Sequence, residues 1–236
     1  MESKMMMRNH TLFTLAAILF LWMNPIEYLN KVVFSQTQNQ HDIIHRFQSA
    51  DQWAKRFENP DRDEWQKPDE VISAMGIEVN TLIADIGSAT GYFPVRFAKV
   101  ATKGYVFGID IEKDMIRFLN ERAELEELEN LESVLGQPDD PRIPKPVDII
   151  FLCNTYHHIE HRIQYFQNLK KYFLPNGKLI IVDFKKGDFP VGPSDNTKLS
   201  KAQVVEELTT AGYKLTQESP MLPYQYFLLF KTSSHD

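Results

Sequence analysis

The chain has 236 residues, 43% of them apolar and 25% charged, with 26 Lys and Arg against 32 Asp and Glu for a net charge of −6. That composition excludes a disordered chain, a collagen-like repeat and a polytopic membrane protein, and its acidic balance excludes broad nucleic-acid binding, which needs a basic stripe. A single cysteine, Cys153, excludes a disulfide framework and a cysteine-rich zinc site.

The first forty residues differ from the rest. Lys4, Arg8 and His10 precede an uncharged apolar stretch over residues 12–23, and Asn24-Pro25 ends it. A basic head before a short apolar run is the order of a secretory signal. As a helix the run rises about 18 Å, short of the ~30 Å hydrocarbon core, so a spanning segment would have to draw in the weaker residues up to 34. Three readings stand: an export signal, an interfacial anchor giving membrane association through residues 12–34, or an apolar N-terminal helix. The expected location is membrane-associated or exported, with the cytoplasm as the alternative. Residues 36–41 form a polar linker, which divides the chain into residues 1–40 and a folded domain over 41–236.

That domain opens with a helical cap over 41–75 ahead of a core over 76–236. Residues 41–57 have the pattern of an amphipathic helix with Ile44, Phe47, Trp53 and Phe57 for burial, and Pro68 interrupts a second helical stretch over 63–75. Such a cap packs either against the side of a sheet or across its carboxyl edge, where it would be a lid. His41 and His45 share a helix face, but without a third ligand in a recognisable pattern no metal is expected.

From residue 81 onward short β-branched runs alternate with helical patterns. Strands are expected over 81–86, 105–110, 131–135, 147–153 and 178–184, with helices over 94–100, 113–127 and 162–173. The continuously apolar V-D-I-I-F-L-C at 147–153 belongs in the middle of a sheet. Ser200 caps a last helix that ends at Gly212, and strands over 213–218 and 224–231 are close enough to pair antiparallel. Alternation of this kind predicts an α/β domain with a doubly wound, mostly parallel sheet.

Open parallel sheets bind ligands outside the carboxyl ends of their strands, and Asp85-Ile86-Gly87-Ser88-Ala89-Thr90-Gly91 stands at the end of the first. Glycine at 87 and 91 suits a tight turn and a ligand approach unhindered by a Cβ. Asp110, at the end of the second strand, is placed to accept from ribose hydroxyls. A dinucleotide loop would need glycine at 87, 89 and 92, where the chain has Gly87, Ala89 and Tyr92. The alternative pattern D/E-x-G-x-G-x-G is met by Asp85, Gly87 and Gly91, with Ala89 as the exception. An acidic residue before the first glycine suits a cationic amino group and would repel a pyrophosphate.

With I-A-D-I-G-S-A-T-G-Y-F, V-F-G-I-D-I-E-K-D-M, V-D-I-I-F-L-C-N-T-Y-H-H-I and L-P-N-G-K-L-I-I-V-D-F, the sequence resembles the class I S-adenosylmethionine-dependent methyltransferases over residues 71–231. It is also similar to a bacterial subgroup whose members begin with an export-like segment. The resemblance implies a seven-stranded sheet of order 3-2-1-4-5-7-6 with an antiparallel last hairpin, and S-adenosyl-L-methionine as cofactor. It implies that Asp85, Gly87, Ser88, Ala89, Gly91 and the adjoining Tyr92 face the methionine part. Asp110 would hold the ribose, with Ile111 flanking the adenine. Asp139 or Gln137 would accept from the adenine amino group, and Asn154 would complete the contacts.

The segment Asn154-Thr155-Tyr156-His157-His158 follows the fourth strand, where the resemblance places the reacting methyl group. His157 or His158 is a candidate base, since imidazole titrates near neutrality; the competing reading is that each merely shapes the loop. Asp183 and Lys185 are candidates to orient an acceptor, and Trp53, Trp65, Tyr224 and Tyr226 to wall its pocket, against ordinary roles at a strand end and in the core. The expected function is metal-independent methyl transfer to a small-molecule acceptor. The alternatives are a non-catalytic S-adenosylmethionine-binding module at a membrane surface and a nicotinamide-dependent oxidoreductase.

Overall fold

The computed structural model describes residues 49–232. The apolar stretch, the linker, His41, His45 and the start of the helix expected at 41–57 lie outside the described residues.

Three short helices lead into the sheet: α1 (Ala50–Phe57), α2 (Asp61–Gln66) and α3 (Pro68–Met75). Pro68 has no N–H to donate and so takes the first position of α3, while Lys67 before it adopts a left-handed φ of 47° that breaks the path between α2 and α3. The core then runs β1 (Leu82–Ile86), α4 (Pro94–Val100), β2 (Tyr105–Asp110), α5 (Lys113–Leu125), β3 (Leu131–Leu135) and β4 (Val147–Cys153). It continues with α6 (Arg162–Leu169), β5 (Phe173–Phe184), α7 (Lys201–Thr210), β6 (Tyr213–Ser219) and β7 (Gln225–Thr232). The seven strands form one sheet of order β3-β2-β1-β4-β5-β7-β6, in which β7 is antiparallel to both of its neighbours.

Both faces are covered, and strand side chains alternate between two cores. Ala84 and Ile86 of β1 pack with Ile150, Leu152, Phe166 and Leu179, whereas Ile83 packs with Val71, Met75, Phe97 and Phe151. Ser200 caps α7 by accepting from the Gln203 N–H, as its sequence position predicts.

One boundary differs from expectation. The helix expected over 162–173 stops at Leu169, a turn of 3-10 helix follows, and β5 begins at Phe173. Phe173 pairs with Val147 and Lys178 with Ile149, so residues 174–177 are extruded as a bulge with Asn176 at φ 67°. Pro175-Asn176-Gly177 is turn chemistry, and here it kinks a strand instead of separating two elements.

The cap crosses the carboxyl edge of the sheet. Gln66 of α2 donates to the side chain of Gln225 at 2.7 Å, and Gln225 donates to Asn154 Oδ1 at 2.6 Å. Glu58, just after α1, accepts from the Thr90 hydroxyl at 2.8 Å and pairs with Arg122 of α5 at 2.9 Å. Of the two positions open to such an appendage, these contacts select the carboxyl edge.

Candidate active site

The loop after β1 is held from behind. The Gly87 and Ser88 N–H groups donate to the Ile109 carbonyl, and the Ala89 N–H donates to Asp110 Oδ2 at 3.0 Å. The second oxygen of Asp110 accepts from the Glu112 N–H at 3.0 Å. Each carboxylate oxygen retains acceptor capacity, which is the arrangement that ribose hydroxyls need. Ile111 stands exposed beside it. Asp139 lies at the exposed tip of a tight turn closed by Gln137 and Asp140, three residues past Gly136, whose N–H donates to the Asp110 carbonyl.

Both glycines make the turn that the sequence suggests, and the chain itself packs against them. Gly87 has φ 78°, as a tight turn requires, but the space where its Cβ would stand is filled by Thr155 of this chain. Gly91, at φ 96°, is likewise packed against the Leu119 side chain of α5. Both glycines permit close approach of the chain to itself. Ala89, where the family pattern has glycine, adopts φ 46°, a left-handed conformation that costs a residue with a Cβ about 1–2 kcal/mol.

Asp85 is buried, and its pKa is raised well above the usual carboxylate value by that burial, with nearby Asp110 adding to the shift and the Arg62 charge opposing it. Burial raises Asp110 as well, against the backbone N–H groups that favour its ionised form. Ser88 is buried with its hydroxyl unpartnered. Tyr92 is committed to the cap: its hydroxyl donates to Asp63, and the Arg62 and Arg96 guanidinium carbons lie 3.7 and 4.1 Å from its ring centre. Asn154, at φ 58°, is tied to the cap through Gln225. Burial pushes the Cys153 thiol up to about 12, which leaves it a poor nucleophile.

The two histidines separate clearly. His157 is almost wholly enclosed, its side chain 4% exposed, and its Nδ1 lies 2.9 Å from both oxygens of Asp183, itself 3% exposed. The His157 N–H and the Phe184 N–H also donate to that carboxylate. A carboxylate at Nδ1 fixes the proton there and leaves the lone pair on Nε2. His158 is exposed, its ring centre 4.1 Å from that of His157. Lys185 does not join Asp183, because its ammonium donates to the Leu222 and Pro223 carbonyls. Of the four candidate wall residues, Trp65 and Tyr224 come together beside Phe184. Trp53 stacks on Phe57 in α1, and Tyr226 is core.

A family model described as a methyltransferase domain matches residues 77–223, more than half of the chain. The chain belongs to this methyltransferase family. Among solved structures, a SAM-dependent methyltransferase from Aquifex aeolicus is 25% identical, with a TM-score of 0.71 over 75% of this chain and 96% of that one. A TehB-like SAM-dependent methyltransferase from Corynebacterium glutamicum shares the fold at 16% identity, with a TM-score of 0.60 over 78% of this chain and 98% of that one. A comparison with curated proteins finds no match. The methyltransferase uses S-adenosylmethionine, and the donor set around Asp85 and Asp110 fits that molecule: acceptors for ribose hydroxyls and a buried carboxylate for an ammonium group.

Proposed function

We propose that this methyltransferase acts on a small acceptor bearing an ionisable O–H, N–H or S–H, with His157 as the base that removes the acceptor's proton. The observation that carries the reading is the buried His157–Asp183 pair, two residues beyond Thr155, which packs on the glycine loop. Bound S-adenosylmethionine supplies a methyl group on a sulfonium already activated for in-line displacement. Asp183 holds the imidazole in one tautomer, and His157 Nε2 takes the proton as the acceptor attacks. A base within the chain serves the reaction without a metal. Trp65 and Tyr224, at the same edge, offer aromatic surface to the acceptor.

Calorimetric binding of S-adenosylhomocysteine tests the cofactor half of this reading. Asp110→Ala is expected to weaken binding about 10- to 100-fold, the worth of a charge-assisted hydrogen bond, with the folded fraction checked by thermal melting. Absence of binding to the wild-type chain at millimolar ligand would end the reading.

The raised pKa of Asp85 gives binding a definite pH dependence. In the ligand-free chain the folded state holds this proton more tightly than the unfolded state. The group therefore costs stability as pH rises from its ordinary value of 3.8 through the raised one. A ligand ammonium favours the ionised carboxylate, so affinity for S-adenosylhomocysteine falls as pH drops through the raised value, by up to about tenfold per pH unit. Asp85→Asn should flatten that profile; an acid-range profile identical in the variant and the wild type would remove Asp85 from ammonium binding.

A further inference from the structure

We infer, on the methyl-transfer reading above, that Glu207 of α7 is a positioning residue for the base, fixing the turn that carries His157 at a second point besides Asp183. Asn154 and His161 stand at the two ends of the segment between β4 and α6, and both have left-handed φ, 58° and 46°. Neither is a glycine, and such a backbone persists only where its surroundings over-determine it. Asp183 supplies one hold, on the His157 imidazole and backbone N–H. A segment held at one point can still pivot about it.

Glu207 supplies the other hold. A turn of 3-10 helix over Tyr156–His158 makes Tyr156 and His157 neighbours, and their side chains leave it for different partners. The Tyr156 ring is buried, stacked on Phe166 at 5.0 Å between centres, and its hydroxyl donates to Glu207 Oε2 at 2.8 Å. Arg162, the first residue of α6, grips the same carboxylate in a fork, Nε to Oε2 at 2.7 Å and Nη2 to Oε1 at 3.0 Å. Its Nη1 donates to the Ile159 carbonyl at 3.1 Å, which ties the end of the turn to the fork. Gln203, one helical turn before Glu207, donates to Oε1 at 2.9 Å. One carboxylate on α7 thus binds the residue just before His157 and the residue that opens the next helix. Moving the turn, and His157 with it, breaks the Tyr156 bond. Misplacement of a reacting group by about 1 Å costs up to about 100-fold in rate, so this hold bears on catalysis as well as on the fold.

The test uses the full chain and two readouts. Solvent exchange of the His157 Nδ1 proton, assigned by its loss in His157→Asn, reports the hold on the imidazole without any acceptor. Tyr156→Phe keeps the ring on Phe166 and removes only the hydroxyl. It is expected to speed that exchange about tenfold while the amides of β4 and β5 keep their wild-type rates. In transfer of labelled methyl into a small-molecule extract, it should lower the rate at saturating S-adenosylmethionine about 3- to 10-fold and leave KM for S-adenosylmethionine within about twofold. Glu207→Gln, which loses the charge and keeps the volume, should act in the same direction, and it carries the comparison if Tyr156→Phe does not fold. Unchanged exchange at His157 would overturn the assignment, and so would faster exchange with an unchanged rate of transfer. Acceleration spread evenly over β4 and β5 would reduce the network to a support of the fold. A wild-type chain that transfers no methyl ends the methyl-transfer reading instead, and the exchange readout still decides whether Glu207 holds the imidazole.

Discussion

His157→Asn is expected to lower methyl transfer by a factor of about 10² to 10⁴ while leaving S-adenosylhomocysteine affinity within about threefold. Asparagine can still offer an N–H toward Asp183, where His157 Nδ1 now lies 2.9 Å away, but it has nothing in place of the basic Nε2. The variant therefore keeps the fold of the loop and loses the base. Asp183→Asn should act through the same nitrogen by another route. Its amide N–H favours the tautomer with the proton on Nε2, so the imidazole remains while its lone pair faces the wrong way. His158→Asn, at an exposed position, should change the rate by less than about threefold. The measurement is transfer of isotopically labelled methyl into a small-molecule extract, followed against pH. Loss of the acid limb of kcat/KM in His157→Asn supports a base; a variant that keeps both rate and pH profile would reduce the pair to a structural one.

The second large effect is expected at Gly87. Alanine there would have to adopt φ 78° and would place its Cβ 2.6 Å from Thr155 Cγ2, inside van der Waals contact. Conformational strain alone accounts for about 1–2 kcal/mol. Relieving the clash must also push apart the glycine loop and the loop after β4, which are the cofactor and base sides in the function proposed above. Gly87→Ala should therefore lower Tm and weaken S-adenosylhomocysteine about 100-fold or more. The double variant Gly87→Ala, Thr155→Ala separates the two causes, because it removes the clash and keeps the strain. Partial recovery of affinity is expected. A double variant no better than the single one would show that Thr155 is not the obstacle.

The contrast between these residues shows what was legible in the chain. Asp85 and Asp110 announce themselves, because a carboxylate at the end of a buried β-branched run, followed by a glycine or a helix, has few uses outside a ligand site. Gly87 was legible as a turn but not as the seat of Thr155, since its packing partner lies 68 positions further on. Asp183 and His157 were each visible as candidates, yet nothing local joins them. They meet because β4 and β5 are neighbours with Cys153 opposite Val182, which brings the ends of both strands to one point. Glu207 carried no signal at all: a glutamate in a helix has the look of a solvated surface residue, and only the packing of α7 against α6 joins it to Tyr156 and Arg162.

The composition and the hydrophobic period by themselves determined an acidic α/β domain with a parallel sheet, because strand and helix periods are local properties of the chain. They also determined that the glycine loop and Asp110 stand at strand ends. The tertiary structure decided which strand lies beside which, that the cap crosses the carboxyl edge, and that His157 is held by the Asp183 carboxylate. Those are contacts between residues far apart in sequence, and their energies exist only once packing has excluded water from between them.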